Sequence, residues 1–265
     1  MEIIVIYMLQ HCQIHTLLKY LSPFMQENLD SFLKFVFPIK NRMTEEKIGM
    51  TDMLEKPVGY YSNIRPEMYE FIPVKAGKIL EAGCGEGIFA SQVKEKLNAE
   101  VWGLELDFES AEIASKKIDK VLQGDIALTI SQLPKNYFDC IIFNDVLEHL
   151  VNPYEVLEAL KQNLAPNGVI VSSIPNARYW RVFKMYVFGK NWKYENDGVM
   201  DRTHLRFFTK RSISEMFENL KYDVVTLKGL KPTPSVGFQI LNALTFGSLS
   251  DCKYIQYACV AKPKK

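Results

Sequence analysis

The chain has 265 residues, 48% of them hydrophobic and 24% charged, with a formal net charge of +1. That length buries a full core and suits one large α/β domain or one domain with an insertion. The near-neutral balance supplies neither the basic field that nucleic acid requires nor an acidic tail. Five cysteines, at 12, 84, 140, 252 and 259, form no C-x-x-C pair and show no zinc-type histidine spacing. They are therefore read as free thiols in a reducing cytoplasm, with Cys84 and Cys140 inside core elements.

The first forty-odd residues differ from the rest. Ile3 to Leu9 is apolar, but Glu2 precedes the run, His11 and His15 interrupt its continuation and Lys19 ends it. That falls short of the roughly 20 apolar residues a membrane span needs, and a basic start and a small-residue cleavage site are both missing. Leu17, Leu18, Leu21, Phe24, Leu29, Phe32, Leu33, Val36 and Phe37 suggest an amphipathic helical arm broken at Pro23. Three readings of it stand open: an arm packed on the domain or on a partner, a peripheral membrane or assembly-complex contact, or a leader upstream of a start at Met43 or Met50. Residues 1–49 are taken as this extension and 50–265 as the α/β domain.

Lys78 to Ala82 is predicted as the first strand, and it runs into a turn with glycine at 83, 85 and 87. Glycine at those places permits left-handed backbone and lets a ligand approach bare peptide N–H groups at a helix start. The following helix carries Phe89, Val93 and Leu97 on one face at four-residue steps. Val101 to Glu105 is strand two, followed by a helix through Ala111, Ala114 and Ile118, and Lys120 to Gln123 is a short strand three before Gly124-Asp125. Phe138 to Phe143 is unbroken apolar sequence, as a central parallel strand buried on both faces should be.

Asn152-Pro153 predicts an N-cap with proline at the first helical position, and Pro166-Asn167-Gly168 ends the helix before strand five at Val169 to Ser173. Ser212-x-x-Glu215 is read as a capping box opening a last helix through Met216, Phe217 and Leu220. Tyr222 to Leu227 and Tyr254 to Ala261 complete the chain as two terminal strands. Alternating β and α elements followed by a strand pair predict one doubly wound, mostly parallel, seven-stranded sheet.

In such sheets ligands sit at the carboxyl ends of the strands, where strand order reverses. Glu81 and the N–H groups near Gly83 and Gly85 are placed to hold a small charged group. Glu105 is placed to accept from both ribose hydroxyls, and Asp125 from an adenine amine. Each also has a plainer role open to it, Glu81 as a solvated strand end and Asp125 as turn chemistry after Gly124.

With these residues in order, the chain resembles the class I S-adenosylmethionine-dependent methyltransferases. E-A-G-C-G-E-G is similar to their first motif, V-W-G-L-E-L-D to the second, L-Q-G-D-I to the third, and F-D-C-I-I-F-N-D-V-L-E-H-L to the segment after strand four. The resemblance covers about Val74 to Pro175. It implies S-adenosylmethionine as cofactor, with Glu81, Gly83 and Gly85 facing its methionyl part, Glu105 its ribose, and Asp125 with Ile126 its adenine. Asn144 would then lie beside the sulfonium, while Cys84, Gly87 and Leu106 complete the cofactor-binding set. Y-Y-S-N-I-R-P-E-M, S-I-P-N-A-R-Y-W and G-V-M-D-R-T-H-L-R-F-F-T further resemble a bacterial subgroup that accompanies polysaccharide and O-antigen assembly genes. A saccharide or a lipid- or nucleotide-linked sugar is thereby implied as acceptor, with a quinone-like or other small hydroxyl compound as the alternative. The ubiquinone-type O-methyltransferases share the E-H-L element but not the downstream block.

Rival readings fit less well. The dinucleotide fingerprint G-x-G-x-x-G needs glycine at 88, where Ile88 stands. Nucleic-acid methylation is disfavoured because Asn144-Asp145-Val146-Leu147 lacks a Pro-Pro-aromatic grip and no Pro-Cys supplies a nucleophile. A catalytically silent scaffold module is the remaining alternative.

Ser172 to Thr209 is too long and too aromatic for a simple connection. It is read as a lid inserted after strand five, whose rings, Trp192 among them, stack on a flat acceptor, while Arg178, Arg181, Arg202 and Arg206 hold an anionic group. The competing reading packs the rings onto the sheet and onto a partner subunit, so an oligomer stays open. His149, directly after strand four, and His204, with Asp201 orienting its ring, are the two candidates for the base that takes the acceptor proton. No cluster has metal spacing, and no metal is predicted.

Overall fold

The computed structural model describes residues 64–264; the predicted arm at 1–49 and the alternative starts lie outside the described residues. Of the described residues, 64–234 with 247–264 make up one compact unit, and Ser235–Phe246 belong to another.

The first unit is built on β1 (Lys78–Ala82), α1 (Ile88–Leu97), β2 (Glu100–Glu105), α2 (Phe108–Ser115), β3 (Lys120–Gln123), α3 (Ile126–Thr129), β4 (Phe138–Asn144), α4 (Pro153–Leu160), β5 (Leu164–Pro175), α5 (Trp180–Val187), α6 (Lys210–Asn219) and β6 (Tyr222–Pro232). After the second unit's α7 (Val236–Leu244) the chain returns to the first as β7 (Tyr254–Pro263). The seven strands form one sheet in the order β3-β2-β1-β4-β5-β7-β6. β1 to β5 are mutually parallel, and β7 lies antiparallel between β5 and β6. This is the doubly wound, mostly parallel sheet expected from the sequence, with its order reversing between β1 and β4.

The two-residue period of the strands divides the core between two faces. Leu80, Ile141 and Phe143 enter one apolar cluster with Val156, Leu157, Leu160 and Phe217. Their neighbours Ile79, Cys140 and Ile142 enter the other, with Phe89, Val93 and Val101. Cys84, Cys140, Cys252 and Cys259 are buried free thiols. Asn152 caps α4 as predicted, its Oδ1 accepting from Glu155 N at 3.3 Å with proline at the first turn.

Three expectations need correction. The cap of α6 is Thr209, not Ser212: Thr209 Oγ1 accepts from Ser212 N while Ser212 Oγ accepts from Thr209 N, so the reciprocal pair sits three residues earlier than Ser212-x-x-Glu215. β5 starts at Leu164, because Leu164 pairs with Phe138 and a register shift carries the ladder past Pro166-Asn167-Gly168 to Val169. Finally, α6 is not the last helix, since α7 comes after it with Ser235 Oγ accepting from Phe238 N. Among the described residues, no helix is long and apolar enough to cross a membrane.

Candidate functional site

A cavity of about 1130 Å³ opens at the carboxyl ends of β1, β2, β3 and β4. Its walls include Glu81, Gly83, Cys84, Gly85, Glu105, Leu106, Asp125, Ile126, Asn144 and His149, so almost every residue of the predicted cofactor set is gathered in one crevice. Gly87 does not line it; it is the left-handed N-cap of α1, at φ 73.

The glycine loop is shaped by β2 as much as by its own sequence. Gly83 stands at φ 68, and a Cβ there would come 2.6 Å from Val146 Cγ2, so only glycine lets the loop pass under the segment after β4. Gly103 in β2 is needed for a second close approach, because its Cβ would meet Cys84 Sγ at 2.5 Å.

The loop's N–H groups are turned inward. Gly83 N and Cys84 N both donate to Leu104 O, at 2.8 and 3.1 Å, and Gly85 N donates to Glu105 Oε2 at 2.7 Å. The expectation that these amides hold a charged group is thus corrected: a parallel strand end with unpaired carbonyls and a carboxylate lies next to them and takes them first. Glu105 is fixed from both sides, since its Oε1 accepts from Asp107 N at 2.9 Å. Asp125 Oδ1 accepts from Ala127 N at 2.7 Å as the cap of α3, which is the plainer turn role foreseen for it, while its side chain still lines the cavity.

The acidic head of the crevice is more unusual. Glu81 is buried and accepts from Asn144 Nδ2 at 2.9 Å, yet its Oε2 and the Asn144 Oδ1 are both enclosed without a hydrogen-bond partner. Burial pushes the Glu81 carboxyl up to about 8, partly offset by the Asn144 bond. Next to Asn144, Asp145 adopts left-handed backbone at φ 55. Its carboxylate accepts from Arg65 and Ser173 and from Gln256 Nε2 at 2.8 Å, and Arg65 also reaches Ser173 Oγ and Gln256 Oε1 at 3.1 Å each. Sequence reasoning missed Arg65, whose only trace was its place in the upstream Y-S-N-I-R-P-E-M block.

The two predicted bases occupy different places. His149 closes a 3-10 turn, Leu147–His149, lines the cavity, and sets Nδ1 3.1 Å from Thr203 O and 3.2 Å from Thr203 Oγ1. His204 is buried and does not line the cavity; its Nδ1 is 3.1 Å from Val199 O and its Nε2 3.8 Å from Glu148 Oε1. Asp201 does not line it either. Its Oδ1 accepts from Thr203 N and Thr203 Oγ1, both at 2.8 Å. Asp201 thus holds Thr203, which lies against the ring of His149. Beneath lies Glu148, fully enclosed, its carboxyl pushed well up by burial and then by the charge of Asp145. Its backbone carbonyl accepts from Leu205 N and Arg206 N, at 2.9 and 3.0 Å.

Segment 172–209 does not cover the crevice as a lid would, for Thr203 is its one residue in the cavity wall. The rings pack on one another instead, Tyr186 on Trp192 and Trp192 on Phe207 at centroid separations of 5.9 and 5.4 Å. Three of the four arginines expected to hold an anion are engaged within the fold: Arg178 pairs with Asp251, Arg181 with Glu195, and Arg206 donates to Val151 O. The fourth, Arg202, has its Nε enclosed without a hydrogen-bond partner and does not line the cavity.

Comparison with known proteins agrees with this architecture. A family model described as a methyltransferase domain matches residues 24–227, well over half of the chain. The ubiquinone biosynthesis O-methyltransferase of Vibrio atlanticus is 28% identical over 190 residues, 67% of this chain and 74% of that protein. Its counterpart in Pasteurella multocida is 30% identical over 129 residues, 43% of this chain and 52% of that protein, so the chain spans about half of that relative's length. The crystal structure of a SAM-dependent methyltransferase from Archaeoglobus fulgidus superposes with a TM-score of 0.56 over 74% of this chain and 91% of its own, at 19% identity, a likeness of fold. The Vibrio and Pasteurella relatives carry ubiquinone names, not the polysaccharide association expected from the downstream motifs. With the class I fold that it shares with the Archaeoglobus structure, the chain belongs to the methyltransferase-domain family.

Proposed function

We propose that the methyl donor is S-adenosylmethionine and that the acceptor is a hydroxyl of a small, flat organic molecule. The observation that carries the donor is the pair of enclosed acceptor atoms, Glu81 Oε2 and Asn144 Oδ1, which have no hydrogen-bond partner among the described residues. Buried acceptors left this way cost about 1–3 kcal/mol each, and an ammonium such as that of the methionyl group satisfies both. Glu105 and Asp125 line the same crevice further along, at the ends of β2 and β3, in reach of a ribose diol and an exocyclic amine. When bound, the donor supplies an electrophilic methyl on positively charged sulfur.

The protein's part is alignment, desolvation and removal of one proton. Orientation alone supplies several kcal/mol. With His149 Nδ1 donating to Thr203 O, Nε2 keeps its lone pair for the acceptor proton, and Asp201 holds Thr203 in place. Around His149 the wall is largely apolar, with Leu150, Val151, Val156 and Ala159, which suits a phenolic ring and agrees with the names of the relatives. A sugar hydroxyl is the second reading, favoured by Asn152 and Glu155 on the same wall. Calorimetry with S-adenosylmethionine and its demethylated product tests the donor, and a methyl-transfer assay over catechols and sugar nucleotides tests the acceptor. Absence of heat with both donor forms would refute the reading.

A further inference from the structure

Glu148 is 1% exposed, and neither of its carboxylate oxygens has a hydrogen-bond partner. A buried carboxyl in that state is costly unless something positive meets it. What faces it is imidazole. One ligand atom from each of Glu148, His149 and His204 lies within 4.8 Å of the others, and His204 Nε2, at 3.8 Å from Glu148 Oε1, is too far for a hydrogen bond.

Both rings are held the way metal-binding imidazoles are held. His149 sets Nδ1 against Thr203 O and His204 sets Nδ1 against Val199 O, each at 3.1 Å. A ring N–H spent on a backbone carbonyl fixes the tautomer whose other nitrogen carries the lone pair. Asp201 in turn fixes Thr203, so even the support of the carbonyl is built in.

We propose that Glu148, His149 and His204 form a binding site for one divalent transition ion of the zinc class. Two imidazoles and one carboxylate are a fitting donor set for it, and ion–ligand distances of about 2.0–2.2 Å require the three atoms to draw together by roughly an ångström. Three protein ligands leave a fourth position. Since His149 alone of the three lines the cavity, that position opens towards the acceptor wall. Binding stands independently of the reaction; its role rests on the hydroxyl-acceptor reading and deepens it. With the ion in place, His149 is a ligand, and a coordinated acceptor hydroxyl, its pKa lowered, gives its proton to solvent in the open cavity in place of transfer to His149.

The experiment uses the full chain, stripped by chelator and titrated with Co²⁺, which reports its coordination by visible absorption. Wild type should take up one Co²⁺ per chain with the strong bands of a low-coordinate ion, displaced by Zn²⁺. Glu148→Gln and His204→Gln should each weaken uptake at least tenfold while calorimetric binding of S-adenosylmethionine is kept, which also shows that each variant is folded. No uptake by wild type, or uptake unchanged in both variants, overturns the site. Donor heat without Co²⁺ uptake removes the site alone, and Co²⁺ uptake without donor heat removes the methyl-transfer reading alone.

Discussion

The rings of His149 and His204 meet edge to face with centroids 4.7 Å apart, one in the cavity wall and the other buried behind it. Only the first can touch an acceptor. His149→Ala should therefore lower kcat by about 10²- to 10⁴-fold, the usual worth of a positioned proton acceptor, with the donor Kd unchanged. Steady-state kinetics beside donor calorimetry decides this; an unchanged kcat would remove His149 from the chemistry.

Glu81 gives the protein a pH dependence of known sign. Its folded-state carboxyl titrates at about 8 against an ordinary 4.5 because burial favours the neutral form. The contribution to stability is thus complete below about 4.5 and is lost at about 1.4 kcal/mol per pH unit as pH rises towards 8. Donor affinity runs the opposite way, since the ammonium needs the ionised carboxylate. Glu81→Gln should flatten the fall of Tm with pH across this window and weaken donor binding most near pH 8, where the carboxylate ionises before the donor's α-ammonium is lost. A wild-type Tm that rises with pH over that range and is unaltered in the variant would contradict the assignment.

Gly83→Ala combines two penalties, a left-handed φ and a Cβ 2.6 Å from Val146 Cγ2. Together they should cost about 2–4 kcal/mol. Val146→Ala in the same chain removes the clash and should recover part of the loss, leaving about 1–2 kcal/mol of backbone strain. Denaturant melts of the single and double variants measure both parts, and additivity would show that the contact is not the cause.

Arg65 is the buried cation facing Asp145, Ser173 and Gln256. Arg65→Ala should destabilise the domain by about 3 kcal/mol, because it strands a partly buried carboxylate. It should also loosen donor binding through the left-handed Asp145 beside Asn144. Arg65→Lys, which keeps the charge but loses the fork, should restore stability only in part. Full recovery in the lysine variant would reduce the contact to simple charge.

Trp192→Ala should lower stability by about 1 kcal/mol through its lost ring pairs with Tyr186 and Phe207. Donor binding should stay as it is. A raised acceptor KM at constant Tm would instead return Trp192 to a stacking role.

Much of this architecture was legible from residue order. Strand ends at Glu81, Glu105, Asp125 and Asn144 recur at the spacing of short β-α units, and a topological rule then places them on one rim. Pairings set by tertiary contact escaped. Nothing local reveals that Leu104 O and Glu105 take the glycine-loop amides, or that Gly103 exists to admit Cys84 Sγ. Arg65 and Asp145 lie 80 residues apart, and Glu148 follows β4 whereas His204 comes from the excursion after β5. The cap of α6 was displaced because Thr209 and Ser212 are both competent, and hydroxyl identity alone does not choose between them. Aromatic density suggested a lid, yet rings drawn together by their own apolar area pack on each other without a ligand.

The Glu148 carbonyl, gripped by two successive amides at Leu205 and Arg206, rivets the excursion after β5 to the turn after β4. Thr203 therefore reaches the cavity from a backbone anchored two and three residues further on to the segment that carries His149. Shifting Thr203 away from that ring means breaking both rivets, so a change on either side of the junction is felt on the other.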